Sequence, residues 1–313
     1  MIRLHRIPAS RAGRWLWMLP LAALAAAVPG SAAAPAHAGE PAHAHETASP
    51  DALAREHAGD APTPTPAAER APRAPVATST PVYATLDGRA ITGFMARPEG
   101  VAGPLPGVVL IHEWWGLNDN LRSLARQLAG EGYLALAVDL YEGESATTPD
   151  AARRLAQQAG GRGERLVENL RAARAYLAAQ GATRIGVIGW CFGGGWALQA
   201  GLRLGDGVDA VVMYYGRVET DPAALAPLRA PLLGHFAGRD AAIPLDAVRR
   251  FEQALAAADR PAEIHVYPDA DHAFANPSGG RYDAVAADEA WARTLAFLAR
   301  QLRPAAGPAP RAP

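Results

Sequence analysis

Between Val82 and Leu302, short continuous apolar runs alternate with longer stretches whose apolar positions recur at helical spacing. The first of these segments, "VYATLDGRAITGFMARP", alternates polar and apolar residues on each side of Asp87-Gly88, a strong short-range hairpin signal. The runs that follow are "GVVLIH", "YLALAVDLY", "RIGVIGW", "DAVVMYYG", "APLLGHFAG" and "AEIHVYP". Helical patterns separate them: one from Asn120, two up to Leu177, and others from Phe192, from Leu245 and, closing the domain, from Asp283. Strands that are apolar at consecutive positions are buried on both faces. Joined by helices, they predict an α/β fold with a mostly parallel, doubly wound sheet flanked by helices over residues 81–303. Right-handed crossovers then bring the carboxyl ends of the strands to one rim, where open α/β sheets carry their sites.

The flanks read differently. Residues 1–38 predict an export signal: basic Arg3, Arg6, Arg11 and Arg14, an apolar run from Trp15 to Val28, and "AHA" suited to cleavage before Gly39. The apolar run is about 14 residues, short of the roughly 18 to 20 that span a bilayer. The mature protein is therefore expected to be periplasmic or secreted, without a stable membrane span. Residues 39–80, rich in Ala, Pro, Thr and charge, predict a flexible tether, and residues 304–313 a disordered tail. His37, His43, His45 and His57 fall in or beside that tether, where a solvated role is expected in the absence of any preformed metal geometry.

With 30 basic and 31 acidic residues the chain has no electrostatic footprint for nucleic acid. A small-molecule substrate is expected, and a monomer. The cysteine count changes the picture more: an exported chain with one cysteine cannot use it for an internal disulfide.

That cysteine lies in Gly189-Trp190-Cys191-Phe192-Gly193, between an apolar strand and a small-residue helix beginning "GGGWALQA". This is a nucleophile-elbow pattern with a thiol in place of a hydroxyl. The turn pushes the nucleophile out of the sheet, and glycines two residues either side avoid collision. The helix N-terminus favours anionic sulfur. In this architecture the acid and then the histidine follow in chain order, which selects Asp240 and His272, each just beyond a strand. His235 and His265 lie inside strands and are expected to pack; Asp246, Asp269 and Asp271 suit a helix start and turns. The amides of Phe192 and Trp114 are candidates for an oxyanion hole. Glu113 is a carboxylate at the end of a buried strand, costly unless it has a partner. Asn118 and Asn120 read as helix caps. Trp115, Tyr141, Trp190 and Phe274 gather with Trp114 and Phe192 at the strand ends and predict an apolar pocket.

The segments "VVLIHEWWGLNDNLRSLARQLAGEGYLALAVDLYEG", "IGVIGWCFGGGWAL", "GRDAAIP" and "YPDADHAF", in this order, resemble the dienelactone hydrolase family over essentially the whole folded part. The resemblance implies an α/β-hydrolase fold, Cys191 as nucleophile, Asp240 and His272 as partners, and Glu113 as a carboxylate exchanging hydrogen bonds with the thiol. It implies no cofactor or metal. Family members acting on dienelactone are expected to carry arginine four residues after the catalytic histidine; here that position is Asn276, with Arg281 expected as a solvated charge at a helix start. A more apolar ester or lactone is the expected substrate, cleaved through a Cys-bound acyl-enzyme. The alternatives are a broad carboxylesterase or thioesterase and a catalytically silent binding module. A thiol redox role is disfavoured because there is no resolving cysteine.

Overall fold

The computed structural model describes residues 50–58, 62 and 65–303. The expected export signal and cleavage site, His37, His43 and His45, and the expected tail from residue 304 lie outside the described residues.

The described residues open with α1 (Pro50–Glu56), β1 (Val76–Ser79), the hairpin β2 (Val82–Leu86) and β3 (Arg89–Thr92), then β4 (Phe94–Pro98), β5 (Leu105–Ile111), α2 (Asp119–Gly130) and β6 (Leu134–Val138). There follow α3 (Pro149–Gly160), α4 (Gly163–Ala179), β7 (Ala182–Trp190), α5 (Phe192–Leu204), β8 (Ala210–Tyr214), α6 (Pro222–Leu225), β9 (Leu232–Ala237), α7 (Leu245–Ala257), β10 (Ala262–Tyr267) and α8 (Ala284–Leu302). Eight strands form one sheet in the order β1-β4-β6-β5-β7-β8-β9-β10. From β6 to β10 every pairing is parallel, while β1 and β4 run antiparallel at one edge. Every residue of β6, β8 and β9 is buried, as expected of strands covered by helices on both faces.

The predicted hairpin forms around Asp87 and Gly88, both with positive φ (47° and 75°), as a tight turn with matching twist requires. Its second arm is split. β3 ends at Thr92, and β4 leaves the hairpin to pair with β1 and β6. Gly93 permits the bend, since a Cβ there would stand 2.7 Å from the Ala137 carbonyl oxygen.

The tether expected over 39–80 needs correction within the described residues. Residues 76–79 are an edge strand of the main sheet, paired from Val76↔Pro98 to Ser79↔Met95. Their side chains are mostly exposed, so hydropathy carried no sign of them; backbone hydrogen bonds hold them. Farther back, α1 packs on α3 with an Asp51–Arg153 ion pair at 3.3 Å, and Arg70 pairs with Asp288 at 2.9 Å. No described helix is long and apolar enough to cross a membrane.

Candidate active site

The parallel strands deliver their carboxyl ends to one rim, and the candidate groups sit in the first residues beyond them. Cys191 follows β7 and opens α5 with φ 52° and ψ −116°, a conformation costly for any residue with a Cβ. The neighbouring glycines show why the turn is possible: a Cβ on Gly189 would lie 2.0 Å from the Gly193 oxygen, and one on Gly193 would lie 2.4 Å from the Ile111 oxygen. Phe192 is the first residue of α5, so its amide is one of the first-turn donors that the helix itself cannot satisfy.

His272 Nε2 lies 3.3 Å from Cys191 Sγ, and His272 Nδ1 lies 2.7 Å from Asp240 Oδ2. The other Asp240 oxygen accepts from the amides of Ala242 and Ile243, each at 2.8 Å, which locks the carboxylate in place. Cys191 is 2% exposed and His272 0%. Burial works against an imidazolium here, but the Asp240 carboxylate and the Cys191 sulfur outweigh it and raise His272 to about 10. The rival groups are engaged elsewhere. His235 meets Tyr267 and Thr294, His265 faces Arg293, Asp246 pairs with Arg250, and Asp269 pairs with Arg239.

Glu113 is held differently from expectation. Cys191 Sγ shares its hydrogen bond with His272 Nε2, while the Glu113 carboxylate accepts from Tyr215 Oη at 3.2 Å and from Asn276 Nδ2 at 2.5 Å. Burial pushes the carboxyl up to about 7, against the opposing pull of His272, of both hydrogen bonds and of Arg281. Asn276 also accepts from Asn120 Nδ2 at 3.0 Å. Asn118 caps α2 by accepting from Leu121 N, whereas Asn120 is not a cap: it braces Asn276 and accepts from Ser278 Oγ.

Of the aromatic residues expected in a pocket, Trp190 joins Glu113, Tyr215 and Asn276 around a cavity of about 20 Å³. Phe274 packs in the core against Tyr215 and Tyr267. Tyr141 packs on His112 and Phe192, and Trp114 on Trp115. Tyr141 Oη and Trp114 Nε1 are buried with no hydrogen-bond partner among the described residues.

The residue missed by sequence reasoning is His57, read as a solvated tether residue. Its ring is buried, 4.7 Å from Trp114 and 5.4 Å from His272 between centroids. Arg281, expected to be solvated, is partly buried and donates to His57 Nδ1 at 2.8 Å, to the His272 carbonyl at 3.0 Å, and to the Glu56 carbonyl. No local pattern in the sequence signals a contact between segments so far apart.

Donor atoms of His57, Cys191 and His272 lie within 4.8 Å of one another, a soft set that could in principle hold a transition metal. The hydrogen bonding opposes it. Arg281 occupies His57 Nδ1, which leaves the ring proton on Nε2, so neither nitrogen offers a lone pair without breaking that contact.

A family model described as the dienelactone hydrolase family matches residues 91–302. Among similar proteins, one from Saccharolobus solfataricus named "Putative carboxymethylenebutenolidase" is 31% identical over 70% of this chain and 97% of its own length. An Escherichia coli K12 protein of the same name is 33% identical over 67% of this chain and 83% of its own. A crystal structure described as a "Putative Dienelactone Hydrolase" from Klebsiella pneumoniae superposes with a TM-score of 0.66 at 31% identity, covering 72% of this chain and 99% of that one.

Proposed function

The chain belongs to the dienelactone hydrolase family, and from that premise we propose that it hydrolyses carboxylic esters or lactones through a thioester on Cys191. The observation that carries the reading is the buried line Asp240–His272–Cys191, at 2.7 and 3.3 Å, on a strained turn at the strand-end rim.

In this mechanism Cys191 Sγ attacks the acyl carbon and the carbonyl π pair moves onto oxygen. The resulting oxyanion is met by the amides of Phe192 and Trp114. As the tetrahedral species collapses, the C–O bond to the leaving group breaks, and the proton held by His272 passes to the departing alkoxide. A water then gives its proton to His272 and adds to the thioester. Collapse releases the carboxylic acid, and the sulfur and imidazole regain their starting state. Asp240 keeps the imidazole in the tautomer that faces the sulfur. For a lactone, the alcohol stays tethered to the acyl group until water arrives.

Glu113 is the residue that sets the charge beside this triad. Neutral below about pH 7 and anionic above it, the carboxyl lies within the electrostatic reach of His272. Tyr141 Oη and Trp114 Nε1, buried without acceptors among the described residues, suit a substrate that brings ester oxygens. The aromatic surroundings favour an apolar acyl or alcohol group, and Asn276, braced by Asn120 and Ser278, carries no charge to hold a substrate carboxylate. The basic and apolar N-terminus supports export of the enzyme, with the mature chain beginning at Gly39; N-terminal sequencing of protein from a periplasmic or culture fraction checks this.

Intact-protein mass spectrometry after brief exposure to p-nitrophenyl esters and small lactones tests the chemistry. An acyl adduct on Cys191 that decays as product accumulates, and that is absent from Cys191→Ala, is the expected result. Full hydrolysis by Cys191→Ala would overturn the reading, and comparison of lactones with linear esters separates lactonase from broad esterase.

A further inference from the structure

His57 lies outside the residues that match the family, yet it is 1% exposed and seated against the centre of the site. Its ring stands edge-on to His272 and tilted against Trp114, with Trp115 at 5.9 Å. Hydrogen bonds among the described residues hold this stretch of chain to the catalytic loops. Arg281 donates to the Glu56 carbonyl and to His57 Nδ1 while also donating to the His272 carbonyl, so one guanidinium ties the stretch to the loop carrying the histidine. Glu56 Oε1 accepts from Ala241 N at 2.9 Å, the residue after Asp240. Farther along, Thr65 Oγ1 donates to the Pro277 carbonyl at 2.9 Å.

Cys191 is 2% exposed and a ring nitrogen of His57 lies within 4.8 Å of its sulfur, so a substrate reaching the sulfur from this side has to displace the His57 ring. Trp114, Trp115, Tyr141 and Tyr215 belong to the main hydrophobic core at the strand ends. The His57 stretch is different. The helix just before it, α1, has seven residues, packs on α3, and is tied to the catalytic loops by the hydrogen bonds of Glu56. A short helix fastened to the catalytic loops by separable hydrogen bonds is the low-stability part of such a wall.

We propose that the segment from Pro50 to Ala58 is a hinged cover of the active site, clipped shut by Arg281, and that its opening governs which acyl groups reach Cys191. With the cover down, His57 closes the approach to the sulfur. When it lifts, the Arg281 bonds to Glu56 and His57 break, while the bond from Arg281 to the His272 carbonyl remains to keep the catalytic loop in place. The inference rests on Cys191 being the reactive thiol of the proposed function, and its test reads the cover separately from hydrolysis.

The experiment measures, on the full chain, the rates at which iodoacetamide and a bulky pyrene maleimide label Cys191, followed by intact mass. Wild type, His57→Ala and His57→Gln are compared. If the open form is roughly 10% populated or less, His57→Ala raises the ratio of bulky to small labelling about tenfold or more. His57→Gln, which keeps an acceptor for Arg281, returns the ratio toward wild type. Hydrogen exchange on wild type gives a second reading that needs no variant: the amides of residues 52–58 exchange faster than those of α2. Equal labelling ratios in the three proteins, or exchange in 52–58 as slow as in α2, overturns the cover. Neither outcome touches the acyl-adduct test of hydrolysis, which fails or succeeds on its own.

Discussion

At the scale of single residues, Glu113 and His272 both titrate above their ordinary values, so both weaken the fold as pH rises, but in different pH windows. Glu113 rises from 4.5 to about 7, so the folded protein holds a proton there that the unfolded chain has already lost. The contribution of Glu113 to stability therefore falls as pH climbs from about 4.5 to 7 and is flat beyond. Glu113→Gln removes this dependence: between pH 4 and pH 8 the variant gains on wild type by on the order of 3 kcal/mol at most, read from urea unfolding at both pH values. The difference between the two pH values is the quantity to measure, because the amide also loses one of two acceptor oxygens at every pH. His272 rises from 6.5 to about 10, so its contribution is complete below pH 6.5 and disappears as pH passes through about 10. The pH profile of kcat/KM is expected to show an alkaline arm near 10 from His272 and an inflection near 7 from Glu113. Only the inflection should vanish in Glu113→Gln. Asp240→Asn, which keeps the volume but reverses the preferred imidazole tautomer, is expected to lower kcat by roughly ten-thousand-fold with the fold retained, as steady-state assays and circular dichroism together would show.

At the scale of elements, the nucleophile elbow allows no substitution at its glycines. Gly193→Ala puts a methyl 2.4 Å from one backbone oxygen and 2.5 Å from the next, on the buried central strand end at Ile111 and His112, where nothing can yield. The expected outcome is a protein that fails to accumulate in soluble form or melts far below wild type by calorimetry, with a cost above about 4 kcal/mol. The same contact explains why the elbow was legible in the sequence: the backbone crossing admits only Gly at these positions, so the constraint is printed as a residue type. The parallel strands were legible for a related reason, since burial on both faces leaves runs such as "VVLI" with no polar gap. The edge was not legible. β1 exposes its side chains and is held by its backbone, which hydropathy cannot register, and β4 looked like a hairpin arm until Gly93 turned it into the sheet. Cys191, Asp240 and His272 could be assigned because each follows a strand in a fixed chain order. The His57–Arg281 contact could not, because no periodicity links a seven-residue helix to a loop more than 200 residues away.

At the scale of the whole molecule, the chain before residue 81 divides into parts with different duties, and two shortened proteins separate them. One begins at Val76 and lacks α1 and His57 but keeps β1; the other begins at Pro81 and lacks the edge strand as well. The first loses the Arg70–Asp288 and Asp51–Arg153 pairs, the packing of α1 on α3 and of the His57 ring on Trp114, and the bonds of Glu56, His57 and Thr65, and leaves the sheet complete. Exposed ion pairs contribute at most about 1 kcal/mol each and the packing lost is that of one short helix and one ring, so the melting temperature should fall by several degrees at most. The second loses the ladder from Val76↔Pro98 to Ser79↔Met95. A few backbone bonds at about 1 kcal/mol each, offset by the freedom regained by four residues, amount to roughly 1–2 kcal/mol. For a domain of this size that corresponds to about 2–8 °C in calorimetry. It also bares the N–H and C=O groups of β4 along a full edge, an invitation to pair with another chain. The protein starting at Pro81 is therefore expected to melt lower and to self-associate with concentration in light scattering, while the one starting at Val76 stays unassociated at the same concentrations. Identical melting and scattering from the two would mean that the sheet ends at β4 in solution and that β1 adds nothing to the fold.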